Sequence, residues 1–205
     1  MKMIRRIAHA SVAAAIAAGL ATSAGAQGVY NERAGMTASI GVGAGTAGLS
    51  CVPKCKGDRL SGPVLLIRGA ANVAPQLTIA LEANLFNASF PIANGTGGWA
   101  LSWVTLNAQW YPKAEENFFI KAGAGLGLVR AHATFPEVGA LDMHANSVGL
   151  VVGIGRDFRL TSKMGVSIYA DYMSTTRSVG LIAEADSGAR LSADVISIGL
   201  AAFIF

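Results

Sequence analysis

The chain has 205 residues, 52% of them hydrophobic and only 14% charged, a balance too apolar for an ordinary soluble domain of this size. Its formal net charge of +4 includes Lys2, Arg5 and Arg6. Setting those three aside leaves 13 of the 16 basic residues against 12 acidic ones, so the basic excess is no argument for a nucleic-acid partner, and none is expected. The length suits one domain, and no linker or low-complexity stretch marks a second.

The first element is a segment to be removed. Lys2, Arg5 and Arg6 form a charged start, Ala10 to Ala21 an apolar stretch too short to cross a bilayer, and Ala24-Gly25-Ala26 a small-x-small cleavage site. Residues 1–26 are therefore expected to be a cleaved signal peptide, and 27–205 the mature domain. No later run of about 18 apolar residues offers a transmembrane helix.

Beyond that point apolar residues fall on every second position. Met36, Ala38, Ile40, Val42 and Ala44 alternate with Thr37, Ser39, Gly41 and Gly43. Successive side chains on a strand point to opposite faces, so this segment has one oily face and one small, polar face. The pattern recurs and predicts eight strands, at 36–46, 64–73, 77–86, 99–111, 118–131, 147–160, 166–173 and 191–205. The connections alternate: 74–76, 112–117 and 161–165 are short, while 47–63, 87–98, 132–146 and 174–190 are long. Repeated oily faces, glycine-rich opposite faces and alternating loop lengths predict an all-β, eight-stranded antiparallel up-and-down transmembrane β-barrel. Its short turns and both termini belong at the periplasmic end and its long loops outside the cell, as part of a Gram-negative envelope.

The pattern also predicts register. Centring the first turn on Pro75 pairs Leu65 with Leu85, Ile67 with Ala83, Gly69 with Leu81, Ala71 with Ile79 and Val73 with Leu77, all facing lipid. The same register sets Arg68 opposite Glu82 in the interior. That placement is favoured because an Arg on the lipid face near the midplane costs roughly 2–4 kcal/mol. Centring the next turn near Ala114 turns Lys121 inward opposite Asn107, with Gln109 nearby. Asp157, Tyr169 and Asp171 share the inward parity, so an interior network of Arg68, Glu82, Lys121, Asp157 and Asp171 is expected among small residues.

Several features together resemble the bacterial outer-membrane β-barrel families of OmpA, OmpX and opacity-protein type. They are Gly41-x-Gly43-x-Gly45 in the first strand, Gln109-Trp110-Tyr111-Pro112 closing the fourth, Lys121-x-Gly123-x-Gly125-x-Gly127 in the fifth, and the aromatic C-terminus. The resemblance covers the whole mature chain. It implies an integral outer-membrane protein exposed at the cell surface, in contact with outer-membrane lipid and lipopolysaccharide and delivered by the barrel-assembly machinery. Such proteins usually place the terminal aromatic on the lipid face. Here Ile196, Ile198, Leu200, Ala202 and Ile204 form the apolar series, leaving Phe205 on the other parity.

Gly43-x-Gly45-x-x-Gly48 matches a dinucleotide fingerprint, but a Cys- and Pro-containing loop follows it where a helix start is needed. Glycines facing a narrow lumen explain it better. Cys51 and Cys55 flank Val52-Pro53-Lys54, and in an oxidising compartment they are expected to form a disulfide worth about 2 kcal/mol as a local loop staple. His132 and His144, with Glu137 and Asp142 between them, are the residue types of a metal site but read as surface residues, so no metal or other cofactor is expected. Lipid A deacylases of this barrel class carry a His-x-Ser pair on one strand face. Here His144 and Ser147 are three apart and fall on opposite faces, so no enzyme activity is expected. Lys54, Lys56 and Arg59, offset only by Asp58, form a basic patch that reads first as a solvated loop and alternatively as a contact for phosphate groups of lipopolysaccharide.

The expected function is a structural or surface-binding role through extracellular loops, with an unidentified extracellular ligand. The alternatives are a lipid A-modifying enzyme or a narrow, porin-like passive channel. About eight strands leave an interior only wide enough for side chains, which argues against the channel.

Overall fold

The computed structural model describes residues 35–52, 55–56, 59–92, 95–113, 116–135, 139–176, 178–179 and 190–205. The predicted signal peptide lies outside the described residues. The strands are β1 (Met36–Val52), β2 (Cys55–Lys56), β3 (Leu60–Ala74), β4 (Leu77–Ile92), β5 (Gly95–Trp110), β6 (Phe118–Phe135), β7 (Gly139–Arg159), β8 (Met164–Thr175), β9 (Ser178–Val179) and β10 (Arg190–Ile204). Eight are long and pair antiparallel with their chain neighbours, and β10 returns to pair with β1, closing the sheet. The two-residue β2 and β9 flank β1 and β10 at one end.

Closure fixes the tilt. Following cross-strand partners once around from Ala38 leads through Gly69, Leu81, Leu106, Ala124, Leu150, Ser174 and Asp194 to Gly48, ten positions further along β1 (48 minus 38). A stagger of ten residues at about 3.3 Å each, against eight strand spacings of about 4.8 Å, tilts the strands by about 40° from the axis. Such a barrel has room for side chains in its lumen and little else.

The polarity of the wall is that of a soluble protein reversed. On β4, Leu81 faces out at 60% exposure, while its neighbour Glu82 faces in at 0%. Ile40, Leu106, Leu126 and Ile196 repeat the outward exposure, whereas Asn84, Asn107, Gln109, Lys121, Asp171 and Ser197 are buried inside. An apolar belt with no protein against it is favourable only in a lipid solvent, and a closed ladder leaves no backbone group unpaired there.

The first hairpin has the expected register from Leu65↔Leu85 to Ala71↔Ile79, including Arg68↔Glu82. It departs at the turn, where a bulge between Asn72 and Ala74 pairs Leu77 with Ala74 instead of Val73. The next hairpin corrects the expectation by two residues. Lys121 pairs with Gln109, and Asn107 with Gly123, because the turn is centred on position 115 and not on Ala114. Lys121 still faces inward, since a two-residue shift preserves parity.

The strands also outrun their predicted ends. The connections expected over 87–98 and 132–146 are largely ladder, with β4 running to Ile92, β5 starting at Gly95, β6 running to Phe135 and β7 starting at Gly139. Hydrophobic alternation stops where lipid stops, but backbone pairing needs only a partner strand. At the opposite end, Thr161 Oγ1 accepts hydrogen bonds from the Lys163 and Met164 amides at 3.2 and 3.0 Å, shaping the tight β7–β8 turn.

Candidate functional site

The lumen is built in layers. Toward the long-hairpin end, Val64, Phe86, Leu101, Trp103, Val129, Val151, Met173 and Val195 pack into one apolar cluster with Trp103 fully buried. Toward the turn end, Tyr111, Phe119 and Tyr169 form part of a second cluster with Leu66 and Ala201. Between them lie four charges of zero net sum, two positive and two negative.

Glu82 on β4 is the hub. Arg68 Nε donates to Glu82 Oε2 at 2.8 Å, as the hairpin register requires. Lys121 Nζ, from β6, donates to Glu82 Oε1 at 2.7 Å and Oε2 at 2.9 Å. The same Nζ lies 2.8 Å from Asp171 Oδ2 on β8 as an ion pair, off the hydrogen-bond direction. Asn84 Nδ2 donates to Glu82 Oε1 at 2.7 Å. Lys121 and Asp171 stand on either side of Gly153 in one cross-strand row, through the pairs Lys121↔Gly153 and Gly153↔Asp171. A Cβ at Gly153 would overlap Asp171 Oδ1 and approach Lys121 Cε to 3.0 Å. Glycine at 153 makes room for the ion pair.

Asp157 belongs to a separate group nearer the turns. Its Oδ1 accepts from Ser167 Oγ at 2.6 Å and its Oδ2 from the Tyr111 hydroxyl at 2.9 Å. The five residues expected as one network thus divide into a central quartet and this carboxylate cluster. Asn84, Tyr111 and Ser167 were not foreseen as members. Asn84 carried a signal, since it shares the parity of Glu82 two residues on.

The other candidates are dispersed. Arg59 is engaged within the wall: Nη1 pairs with Asp194 Oδ2 at 2.6 Å, and Nη2 donates to the Thr46 carbonyl at 2.8 Å. Its charge is therefore matched by Asp194 of β10, a partner far from the basic patch in sequence. Lys54 and the side chain of Lys56 lie outside the described residues. Cys51 and Cys55 are Cα partners across β1 and β2, while their side chains lie outside the described residues. His132 and His144 are exposed on the outer face, and Ser147 turns toward the lumen. Glu137 and the side chain of Asp142 lie outside the described residues, and no group of three metal-ligating side chains occurs among the described ones. The glycines of Gly43-x-Gly45-x-x-Gly48 stand in β1, with no helix after them.

Phe205 follows the end of β10. Phe203 is buried at 8%, Ile204 faces out at 53%, and Phe205 lies past the strand at 39%, so strand parity no longer governs it. Its ring packs edge-on to Phe203 at 5.3 Å, under the Arg159 guanidinium at 4.3 Å, and its amide donates to the Lys163 carbonyl at 3.1 Å.

No family model matches the chain, and no curated protein sequence does. Solved structures do match in fold. Neisserial surface protein A (NspA) is 15% identical with a TM-score of 0.51, over 80% of this chain and 95% of that one. Ail, the attachment invasion locus protein of Yersinia pestis, solved in complex with the heparin analogue sucrose octasulfate, is 11% identical with a TM-score of 0.54, over 82% of this chain and 99% of that one. The fold is that of the small eight-stranded outer-membrane β-barrels, and the apolar belt fits the chain to a bilayer.

Proposed function

We propose that this protein is a non-conducting outer-membrane barrel whose work is structural or surface-binding, done by the hairpins at its long-strand end. The observation that carries the reading is the layered lumen. An apolar cluster around Trp103 and an aromatic cluster around Phe119 close the passage above and below a neutral, paired quartet of charges. An ion crossing the lumen would have to displace both clusters and break buried ion pairs, each change costly in a low-dielectric interior. The same filling occupies the lumen with side chains at both clusters, which favours binding at the hairpins over catalysis inside.

The test is in two parts. Purified barrel reconstituted in a planar bilayer should give a flat current trace at moderate voltage, and an epitope inserted after Pro136 should be labelled on intact cells. Persistent unitary openings from the native chain would replace this reading with the channel. Labelling that requires cell lysis would reverse the assigned orientation.

A further inference from the structure

On the outer face of the wall, a groove of about 340 Å³ crosses β4 to β7 near their long-strand ends. Two cross-strand rows line it. The lower is Leu85, Ser102, Leu128 and Asn146, and the upper is Asn87, Ala100, Arg130 and His144. Short side chains at Ala100 and Ser102 make the floor, between the taller walls of Leu85 and Leu128. One row higher, the His132 imidazole lies over Gly98 so closely that a Cβ there would strike it. Arg130, His132 and His144 are all exposed on this outward face.

The height of this cluster follows from the tilt. Trp110, at the lower margin of the same face, is ten residues from Ala100 along β5 (110 minus 100). Ten residues at about 3.3 Å, inclined by about 40°, rise about 25 Å, the height of the apolar band of such barrels. Between Arg156 and Arg130 no charged side chain faces out on these four strands. Arg130 is the first outward charge met at the upper edge of the belt, and it stands in the upper row of the groove, above Leu85 and Leu128.

We infer that this groove holds a phosphorylated acyl-glycolipid of the outer leaflet, the lipid A type. An acyl chain lies between Leu85 and Leu128 over Ala100 and Ser102, continuous with the belt below. Its phosphate meets Arg130, with His132 and His144 as imidazole donors, and Asn87 and Asn146 offer amides to the sugar and its amide-linked chains. Charge-assisted bonds from a guanidinium to phosphate are the strong element of such recognition. The inference rests on the outer-membrane reading, with the long-strand end outward.

Native mass spectrometry of the folded full-length mature chain in detergent, titrated with diphosphoryl lipid A, provides the test. Phosphatidylglycerol and inorganic phosphate serve as the competing probes. One lipid A should be retained, and Arg130→Gln and Ser102→Leu should each weaken it by about tenfold or more. Lys163→Gln, at the other rim, should leave binding unchanged. Each variant is checked for a heat-dependent gel shift, which reports the closed barrel. If Arg130→Gln does not fold, Ser102→Leu decides, since an outward Leu suits a lipid-facing position. A folded Arg130→Gln or Ser102→Leu that binds lipid A like the native chain overturns the site. So does equal retention of phosphatidylglycerol, or displacement of lipid A by inorganic phosphate. Loss of the heat-dependent shift in the native chain would instead sink the membrane-barrel reading itself.

Discussion

Glu82 accepts from Arg68, Lys121 and Asn84 at once, so the four charges of the central quartet are not equivalent. Replacing Glu82 strands the buried Arg68 and leaves Lys121 with Asp171 alone, whereas replacing Arg68 leaves Glu82 still paired with Lys121. Removing one member of a buried pair costs about 3–5 kcal/mol, mostly from the partner left behind. Glu82→Gln should therefore be the most damaging single change in the quartet, by urea unfolding of the barrel in lipid. Arg68→Met should cost less, and the double variant should cost clearly less than the two losses added. Strict additivity would mean the residues are uncoupled. Two glycines offer a contrast at the same scale. Gly153→Ala would press a methyl group against Asp171 and come 2.8 Å from the Ala170 carbonyl oxygen, so it should destabilise by about 1–3 kcal/mol. Gly69 faces out with nothing within 4 Å of an added Cβ, and Gly69→Ala should be neutral or stabilising by up to about 1 kcal/mol. Equal effects of the two substitutions in the same unfolding assay would contradict the inward and outward assignment.

At the scale of elements, the ladder carries structure beyond the belt. Arg59 ties the approach to β3 onto β1 and β10 through Thr46 and Asp194, and a Cβ at Gly48 would come 2.9 Å from Asp194 Oδ1 and 3.0 Å from Arg59 Nη1. A glycine there keeps space for the pair. Beside it, β2 folds back on β1 with Cys51 and Cys55 as Cα partners. Facing positions on antiparallel strands suit the staple expected from the spacing, with a predicted gain of about 2 kcal/mol. Protein recovered from the cell envelope should therefore take up no thiol label without reductant and two labels after reduction and unfolding. Labelling of both cysteines in the untreated protein would remove the staple.

For the whole molecule, closure is what makes the fold hold as a unit. β1 is bonded on one side to β3 and on the other to β10, so none of the eight long strands is left as an edge to fray. A closed ladder resists detergent until heated. The unboiled protein should therefore run at a different mobility from the boiled protein on a denaturing gel, and truncation of β10 should abolish the difference. Identical mobility for the intact chain would contradict a closed barrel. The lumen adds to the same cooperativity, because Lys121 links β6 to β4 and β8 across the interior.

Sequence alone determined what each strand does to its own neighbours. Alternation told lipid face from lumen for Arg68, Glu82, Lys121, Asp157, Tyr169 and Asp171, because a period of two is a local property of an extended backbone. The tight turn at Pro75 made the first register countable, while the longer 112–117 turn hid its centre and moved the Lys121 partner by two residues. Strand ends at the long-hairpin side were illegible, since pairing continues in water after the apolar signal stops. Which charges meet was decided only by tertiary structure. Lys121 reaches Glu82 and Asp171 because closure staggers the wall by ten residues and brings non-neighbouring strands to face one another across the lumen. The groove beneath Arg130 is of the same kind: four strands must lie side by side, in register, before Ala100 and Ser102 become its floor.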